Sequence, residues 1–346
     1  MPAYVSPPRT VLGAHKVSTE EISDDIRRHH PDHPRLAAIL RVINNCGVLT
    51  RHFSRPLDSA CVSGPAGVQE RTRAAFHDAL DMAERASVSA LETAGLDPND
   101  IDAIVTTHAT GWAVPNLDIH LIHRLGLRPT TRRIAMTTAA CGGGAQSLIR
   151  AADLVAARPG TKVLVVAAET LSTSYNHASS TIEAMIYKAL FADAGAATVV
   201  TDEPLGPGLA IDDTFEYTLP ESFDRYRGRL DSDGMHFDST KAAPTTAAET
   251  LAVVKEWVGA RTLDFAVIHP GSLSIIRDTA EAFDLPAELT RHSTESLIDE
   301  GNLGGVSVLR VLERTHASPP APGGQGLMVA YGPGFFSAAL HGHWHA

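Results

Sequence analysis

The chain repeats two of its motifs at nearly the same separation, and this repeat constrains the fold more than any other feature. Residues 101–105 (IDAIV) correspond to residues 263–267 (LDFAV), 162 positions later. Residues 141–148 (CGGGAQSL) correspond to residues 302–309 (NLGGVSVL), 161 positions later. Because an apolar run and a glycine-rich turn share one offset, we interpret the chain as an internal duplication of a strand–helix unit.

The duplication predicts an α/β fold made of two similar halves, residues 1–202 and residues 203–346. Apolar runs such as residues 162–169 (KVLVVAAE) and 326–331 (GLMVAY) lack the polar alternation of a half-exposed strand. Such runs are typical of sheets that helices cover on both faces. Two halves of this kind predict a five-layer αβαβα sandwich. The alternative is that α/β proteins look repetitive in general, but the shared offset of strand and turn favours duplication.

Composition excludes several classes of function. The formal net charge of −11 argues against a nucleic-acid-binding protein. The three cysteines, Cys46, Cys61 and Cys141, are too few for a disulfide framework and fit a cytoplasmic protein. The first residues do not resemble a signal peptide, and no apolar run reaches the ~18 residues that cross a bilayer. We therefore expect neither a nucleic-acid partner nor a membrane.

Cys141 lies at a glycine-rich turn that leads into an apolar, helix-like run. A sulfur there faces the positive end of a helix dipole and unpaired backbone N–H groups. That environment favours a thiolate nucleophile with a lowered pKa. Taken alone, a cysteine in such a turn is more often a small buried residue that packs against the glycines.

Two further residues complete a possible catalytic set. His269 ends a buried strand in the second half, and Asn302 is the counterpart of Cys141 in the duplication. The imidazole could hold the thiolate as an ion pair and then donate a hydrogen bond to a developing oxyanion, and the asparagine amide supplies a second donor. Because equivalent turns face each other across a pseudo-twofold axis, we expect the three side chains to meet.

Four motifs make the sequence similar to the type III polyketide synthases, the chalcone-synthase-like branch of the thiolase superfamily, and to its bacterial members in particular. They are ACGGG at 140–144, IHPG at 268–271, GNLGG at 301–305 and YGPGF at 331–335. The resemblance implies a thiolase-like fold and a Cys141–His269–Asn302 triad. It also implies that Phe191 and Phe237 are the two gatekeeper phenylalanines.

The resemblance implies an acyltransferase that makes polyketides, in secondary metabolism, by decarboxylative Claisen condensation. A starter acyl-CoA loads onto Cys141, malonyl-CoA is decarboxylated, and the resulting enolate attacks the thioester. Cyclisation of the extended chain is a further step that the family performs. Coenzyme A thioesters are the substrates, and neither a metal nor a redox cofactor is expected. The starter, the number of extensions and the mode of cyclisation are not determined by the sequence.

The family's cavity-lining positions correspond here to Ala109, Leu171, Ser174, Gly228 and Gly304. Three of these residues are small, which favours a bulky or long starter, although each position could equally reflect ordinary packing. A naphthalene-forming bacterial enzyme more often has cysteine where this chain has Ala109, so no product is assigned. The chain also departs from the family's usual GFGPG and FGDG motifs, which read AYGPG at 330–334 and FADA at 191–194.

The resemblance further places coenzyme A phosphates near residues 41–55, with Arg51 the best candidate and Arg41 and His52 behind it. It implies a homodimer in which Val114, just before Pro115, closes the partner's cavity. The histidines of the last six residues are interpreted as a frayed terminus rather than a metal site. They are His341, His343 and His345.

Two other functions remain open at this point. A priming ketoacyl synthase that extends on acyl carrier protein would share the cysteine, histidine and asparagine, but it usually follows its histidine with Gln-Ala-Asn, where this chain has Pro270-Gly271-Ser272. A catalytically inactive family member acting as a dimeric binding partner is the third interpretation, and the intact triad argues against it.

Overall fold

The computed structural model describes residues 2–346, which form fourteen strands and ten α-helices. The strands are β1 Ala3–Val5, β2 Arg9–Leu12, β3 His15–Ser18, β4 Thr50–Phe53, β5 Ala103–His108, β6 Arg132–Thr137, β7 Val163–Thr170, β8 Asp193–Thr201, β9 Gly208–Thr218, β10 Tyr226–Asp231, β11 Gly234–Ser239, β12 Phe265–Ile268, β13 Gln325–Gly332 and β14 Phe336–His345. The helices are α1 Thr19–His29, α2 Leu36–Asn44, α3 Val68–Ala94, α4 Leu117–Leu125, α5 Gly143–Ala157, α6 Ile182–Leu190, α7 Thr246–Val258, α8 Leu273–Ala282, α9 Ala287–Glu300 and α10 Ser307–Ala317.

The sequence repeat reappears in the strand pairing. In the first half β5 runs parallel to β7, with Ala103 opposite Val163, and β7 runs antiparallel to β8. In the second half β12 runs parallel to β13, with Phe265 opposite Gly326, and β13 runs antiparallel to β14. The two halves therefore share one strand order and direction, as the duplication predicts.

The two half-sheets are joined edge to edge rather than separate. The hydrogen-bonded order is β12-β13-β14-β9-β1-β8-β7-β5-β6, and β2 also pairs with β8. The short strand β1 links the halves because it pairs with β8 on one side and β9 on the other. The proposed boundary after residue 202 falls between β8 and β9, and the division into two domains stays a prediction.

Alternate residues of the buried strands define the layers. In β7, Val163 and Val165 belong to a central core, whereas Leu164 and Val166 pack on the outer side. The central core holds α5 and α10, each of which contacts strands of both halves. Helices α3 and α4 cover the outer face of the first half-sheet, and α7 and α8 cover that of the second. The layers are therefore helix, sheet, helix, sheet, helix, and the predicted thiolase-like αβαβα sandwich is confirmed.

Local signals in the sequence set several element ends. Ser18 and Glu21 form a reciprocal capping box at the start of α1, which satisfies backbone N–H groups there. Gly95 ends α3 in the left-handed conformation, with φ of +66°, which glycine adopts without steric cost.

The prediction of a frayed C-terminus is wrong. The last residues form β14, which pairs with β13 on one side and β9 on the other and is therefore an internal strand. His341 and Trp344 are buried in it. An internal strand buries polar side chains together with apolar ones. The polar composition of the last residues therefore wrongly suggests an exposed, frayed end. No helix within residues 2–346 is both long enough and apolar enough to cross a bilayer.

Candidate active site

Three turns from different parts of the sequence meet at one cavity of about 490 Å³. Cys141, His269 and Asn302 all line it. Cys141 comes from the first half and the other two from the second, so the site exists only where the halves pack together. The predicted convergence of sulfur, imidazole and carboxamide is therefore present in the structure.

Cys141 is held on a tightly wound connection. It sits in a short 3₁₀ turn, Ala140–Gly142, directly before α5. Ala140 and Thr138 have φ of +48° and +63°, in the left-handed region that costs free energy for residues other than glycine. The next glycine is required by close packing, because a Cβ at Gly143 would lie 2.3 Å from the hydroxyl oxygen of Thr107. The strained turn fixes the sulfur at the N-terminal end of α5.

Asn302 is fixed through both its backbone and its side chain. Its N–H donates to the Leu190 carbonyl at 2.7 Å, and its carbonyl accepts from the Ala192 N–H at 3.0 Å. Its Oδ1 accepts from the Gly304 N–H at 2.9 Å, so Nδ2 is the donor end of the amide. Nδ2 donates a long hydrogen bond to the Gly271 carbonyl at 3.4 Å, and the side chain is near enough to Cys141 to oppose the rise in the pKa of its thiol. The amide and the sulfur therefore lie on the same cavity.

His269 follows β12 directly, and its backbone continues the pairing with β13, since its N–H donates to the Val329 carbonyl at 2.9 Å. The side chain is buried, and Nδ1 has no hydrogen-bond partner among residues 2–346. A buried ring nitrogen without a protein partner costs free energy unless water or a ligand satisfies it.

Burial shifts the two ionisable members of the triad in opposite directions. It raises the pKa of the Cys141 thiol to about 12, and the carboxyl of Glu169 adds to the rise. It lowers the pKa of the His269 imidazole to about 3. Burial thus favours a neutral thiol and a neutral imidazole in the free site. The structure opposes the lowered thiol pKa that the sequence predicts, because burial and the Glu169 carboxyl outweigh the effect of the Asn302 side chain.

Sequence reasoning missed Glu169, the buried acid of the cavity. Both of its carboxylate oxygens lie 3.1 Å from the Ala109 N–H, and one accepts from the Thr110 hydroxyl. Burial raises the pKa of this carboxyl to about 7. One signal in the sequence could have identified Glu169: it is an acidic residue near the end of an otherwise apolar strand. A carboxyl buried there needs specific hydrogen-bond donors to offset the cost of burial.

The two predicted gatekeepers lie together at the cavity. The rings of Phe191 and Phe237 meet edge to face with centroids 5.2 Å apart, and Tyr187 stacks on Phe191 at 5.0 Å. Tyr187 is a further wall residue that the sequence analysis did not identify.

The predicted cavity positions divide into two groups. Ala109, Leu171 and Gly304 line the cavity, whereas Gly228 pairs with Phe237 across the β10–β11 hairpin and lies behind that ring. The Ser174 hydroxyl donates to the Leu171 carbonyl at 2.7 Å, and this serine faces a small neighbouring cavity. Gly228 and Ser174 are therefore supports of the wall rather than part of it.

Val114 lies outside the main cavity, beside a second one of about 660 Å³ that also includes Trp112 and Ala109. The Val114–Pro115 peptide bond is cis. The side chains of Trp112 and Val114 are among the most exposed large apolar groups of the chain, at 76% and 80%.

The prediction for Arg51 is wrong. Its guanidinium is fully buried and donates to the Ala189 carbonyl at 2.6 Å and to the Thr19 hydroxyl at 2.8 Å. A guanidinium that is buried and hydrogen-bonded inside the protein cannot bind a phosphate group in solvent. His52 is likewise engaged, at 3.0 Å from the Gly13 carbonyl. Arg41, in contrast, is exposed and lines a groove of about 430 Å³ that shares Ile186, Leu190, Ser272 and Ser274 with the main cavity.

A duplicated five-layer α/β sandwich with Cys, His and Asn meeting at one cavity defines a thiolase-like condensing enzyme. Residues 20–204 match the family model for the N-terminal domain of chalcone and stilbene synthases. The chain is 31% identical to phloroglucinol synthase of Pseudomonas fluorescens, over 98% of each sequence. It is 30% identical to 1,3,6,8-tetrahydroxynaphthalene synthase of Streptomyces coelicolor, over 97% of this chain and 91% of that protein.

Solved structures agree with the sequence comparisons. Germicidin synthase of Streptomyces coelicolor, a type III polyketide synthase, superposes with a TM-score of 0.95 at 33% identity and covers 99% of this chain and 100% of its own. The chain therefore belongs to the chalcone and stilbene synthase family and is a type III polyketide synthase, a C–C bond-forming acyltransferase.

Proposed function

We propose that the enzyme transfers an acyl group from coenzyme A to Cys141 and extends it with malonyl-CoA. The Cys141 sulfur attacks the acyl thioester while its proton passes to His269, whose neutral imidazole is a free acceptor. The tetrahedral intermediate collapses with loss of the coenzyme A thiolate, which takes the proton from His269. Cys141 is then acylated and His269 is neutral again.

In the second half of the cycle malonyl-CoA loses carbon dioxide and leaves the enolate of acetyl-CoA. The His269 N–H and the Asn302 Nδ2 donate to the enolate oxygen, and one such donor is worth about 3–4 kcal/mol of barrier. The enolate carbon attacks the Cys141 thioester, a C–C bond forms, and the C–S bond breaks to release the sulfur. The extended chain leaves on coenzyme A and can load again.

One observation carries this proposal: Cys141, His269 and Asn302 line a single cavity. The cavity walls are mostly apolar and aromatic, which suits a hydrocarbon starter and a growing polyketide. The size of the starter, the number of extensions and the ring formed depend on the detailed shape of these walls.

We propose the groove beside Arg41 as the entry for coenzyme A. It leads past Ser272 and Leu190 into the main cavity, so a pantetheine arm could lie in it with the thioester at Cys141. The exposed guanidinium of Arg41 would then meet the nucleotide phosphates. This replaces Arg51 in the role that the sequence suggested.

We also propose a homodimer without a bound cofactor, acting in the cytoplasm. Trp112 and Val114 form an exposed apolar pair beside the second cavity, and a second copy of the chain would remove this pair from water. All three cysteines are free, which fits a reducing compartment. Sedimentation velocity tests the dimer, and a monomer at micromolar concentration would contradict it.

The reaction is tested with radiolabelled malonyl-CoA and a panel of acyl-CoA starters. We expect labelled polyketide from the wild type and none from Cys141→Ala. Cys61→Ala is the matched control, because Cys61 is buried in a cluster away from the cavity, and it should keep its activity. Full activity in Cys141→Ala would overturn the assignment of the nucleophile.

The same assay separates the alternatives. Malonyl-acyl carrier protein offered in place of malonyl-CoA should not support extension, whereas a priming ketoacyl synthase would prefer it. A catalytically inactive binding protein would form no product with either donor, and its Cys141 would not be alkylated by iodoacetamide.

A further inference from the structure

A cluster of histidines surrounds a buried carboxylate on the face of α1 that packs against the segment before α6. Asp25 and His29 are four residues apart on α1 and so lie on the same side of the helix. His177 comes from the loop between β7 and α6. The cluster is separate from the catalytic cavity, since none of the three residues lines it.

The three side chains bring their ligand atoms close together. His177 Nε2 lies 2.9 Å from one carboxylate oxygen of Asp25, and His29 Nδ1 lies 3.3 Å from the other and 2.9 Å from the backbone carbonyl of Asp25. The rings of His29 and His177 stack with centroids 3.9 Å apart. One nitrogen or oxygen of each residue lies within 4.8 Å of those of the other two.

We propose that Asp25, His29 and His177 form a binding site for a divalent transition metal such as Zn²⁺. Zinc bonds to histidine nitrogen and carboxylate oxygen are about 2.0–2.2 Å long, so ligand atoms on a tetrahedron are about 3.4 Å apart. The two histidine–carboxylate spacings, 2.9 and 3.3 Å, are close to that value. Two imidazoles and one carboxylate suit zinc, nickel or copper rather than magnesium or calcium.

The surroundings hold the ligands in place, as outer partners do in metal sites. The Tyr175 hydroxyl donates to Asp25 at 3.0 Å, and His30 Nε2 lies 2.9 Å from His177 Nδ1. The Asp25 carboxylate is almost fully buried, while the His29 side chain is 37% exposed. The site is therefore anchored inside and open to solvent on one side, where water could complete the coordination.

The charges around this cluster partly oppose a bound metal. Two cations oppose a bound metal: Arg28, whose guanidinium lies 3.1 Å from Asp25, and Lys188, which packs over Tyr175. The Arg28 side chain is mostly exposed and can turn away from the carboxylate.

A bound metal would tie α1 to the segment that leads into the cavity wall. His177 precedes α6, and Ile186, Tyr187 and Leu190 of α6 line the catalytic cavity. We therefore expect the metal to stabilise the native protein, because it binds the folded arrangement and not the unfolded chain.

The test is a titration of chelator-treated enzyme with Co²⁺, followed by visible absorption, and with Zn²⁺, followed by calorimetry and Tm. We expect one metal per chain, the d–d bands of a histidine–carboxylate site, and a higher Tm with Zn²⁺. His29→Ala and His177→Ala should each weaken binding at least about tenfold. His29→Ala alters the exposed last residue of α1, so it keeps the test valid if His177→Ala does not fold.

His343→Ala is the matched control, because His343 also lies 2.8 Å from a carboxylate, that of Asp212, but has no third ligand there. It should leave binding unchanged. The proposal is overturned if the wild type binds no stoichiometric metal, if His29→Ala binds as tightly as the wild type, or if only His343→Ala loses binding.

Discussion

Gly144 and Gly305 meet backbone to backbone where the two halves of the molecule pack together. A Cβ on Gly144 would lie 2.2 Å from the Gly305 carbonyl oxygen, and one on Gly305 would lie 2.8 Å from the Ala140 carbonyl oxygen. The two glycines are separated by 161 residues, the same offset as Cys141 and Asn302. The repeat therefore places its own equivalent turns in contact, and this contact brings Cys141 and Asn302 to the same cavity.

Gly144→Ala should destabilise the protein by about 1–3 kcal/mol, because the added methyl group meets backbone atoms that cannot move aside. Chemical denaturation measures the change. Gly228→Ala is the control: its Cβ would have only an ordinary contact, 3.6 Å from the Phe237 ring, and the variant should stay within about 1 kcal/mol of the wild type. Equal stabilities for the two variants would contradict the close approach.

Asn302→Ala should slow condensation about 10²–10³-fold, because it removes one donor to the enolate oxygen. Loading of the starter should survive, since the sulfur and His269 remain. Intact-protein mass spectrometry would then show acylated enzyme accumulating without product. Equal loss of loading and condensation would place the amide in both steps.

Arg41→Ala and Arg51→Ala should fail in different ways. Arg41→Ala should raise the KM for malonyl-CoA several-fold at unchanged Tm, because its side chain is exposed at the groove. Arg51→Ala should lower stability by about 1–3 kcal/mol, because the Ala189 carbonyl loses a buried donor. Steady-state kinetics and thermal melts of the two variants make the comparison, and a KM effect confined to Arg51→Ala would restore the original assignment.

Glu169 should make the folded protein less stable as the pH rises. Its pKa is raised from 4.5 to about 7 in the folded state, so between these values the native protein keeps a proton that the unfolded chain releases. The contribution of this group to the free energy of unfolding is fully present below about pH 4.5. As the pH rises through 7, that contribution is lost, and the free energy of unfolding falls by up to about 3 kcal/mol. The difference in unfolding free energy between wild type and Glu169→Gln, measured from pH 4.5 to 8, should follow this curve. A flat difference would show that the carboxyl is not perturbed.

Glu169→Gln should also make Cys141 more reactive. The ionised carboxylate raises the thiol pKa, so its removal should speed alkylation by iodoacetamide several-fold at pH 8. At pH 5.5 wild-type Glu169 is protonated, and the two proteins should react alike. Glu183→Gln, which alters another carboxyl of the cavity, serves as the control and should match the wild type at both pH values.

The sequence by itself determined the duplicated fold and the identities of Cys141, His269 and Asn302. Strand pattern and turn composition are local properties, and a repeated local pattern implies a repeated structure. The end of α3 is local in the same sense, since Gly95 directly follows its last residue in the chain.

Only the tertiary structure decided what the polar side chains of the interior do. Arg51 was predicted to meet phosphate and is instead enclosed by Thr19 and Ala189, and the C-terminal histidines lie in an internal strand. Glu169 and the raised pKa of Cys141 likewise depend on residues far away in sequence. Burial and hydrogen-bond partners are set by long-range packing. The free energy of a charged group therefore depends on those surroundings rather than on its neighbours along the chain.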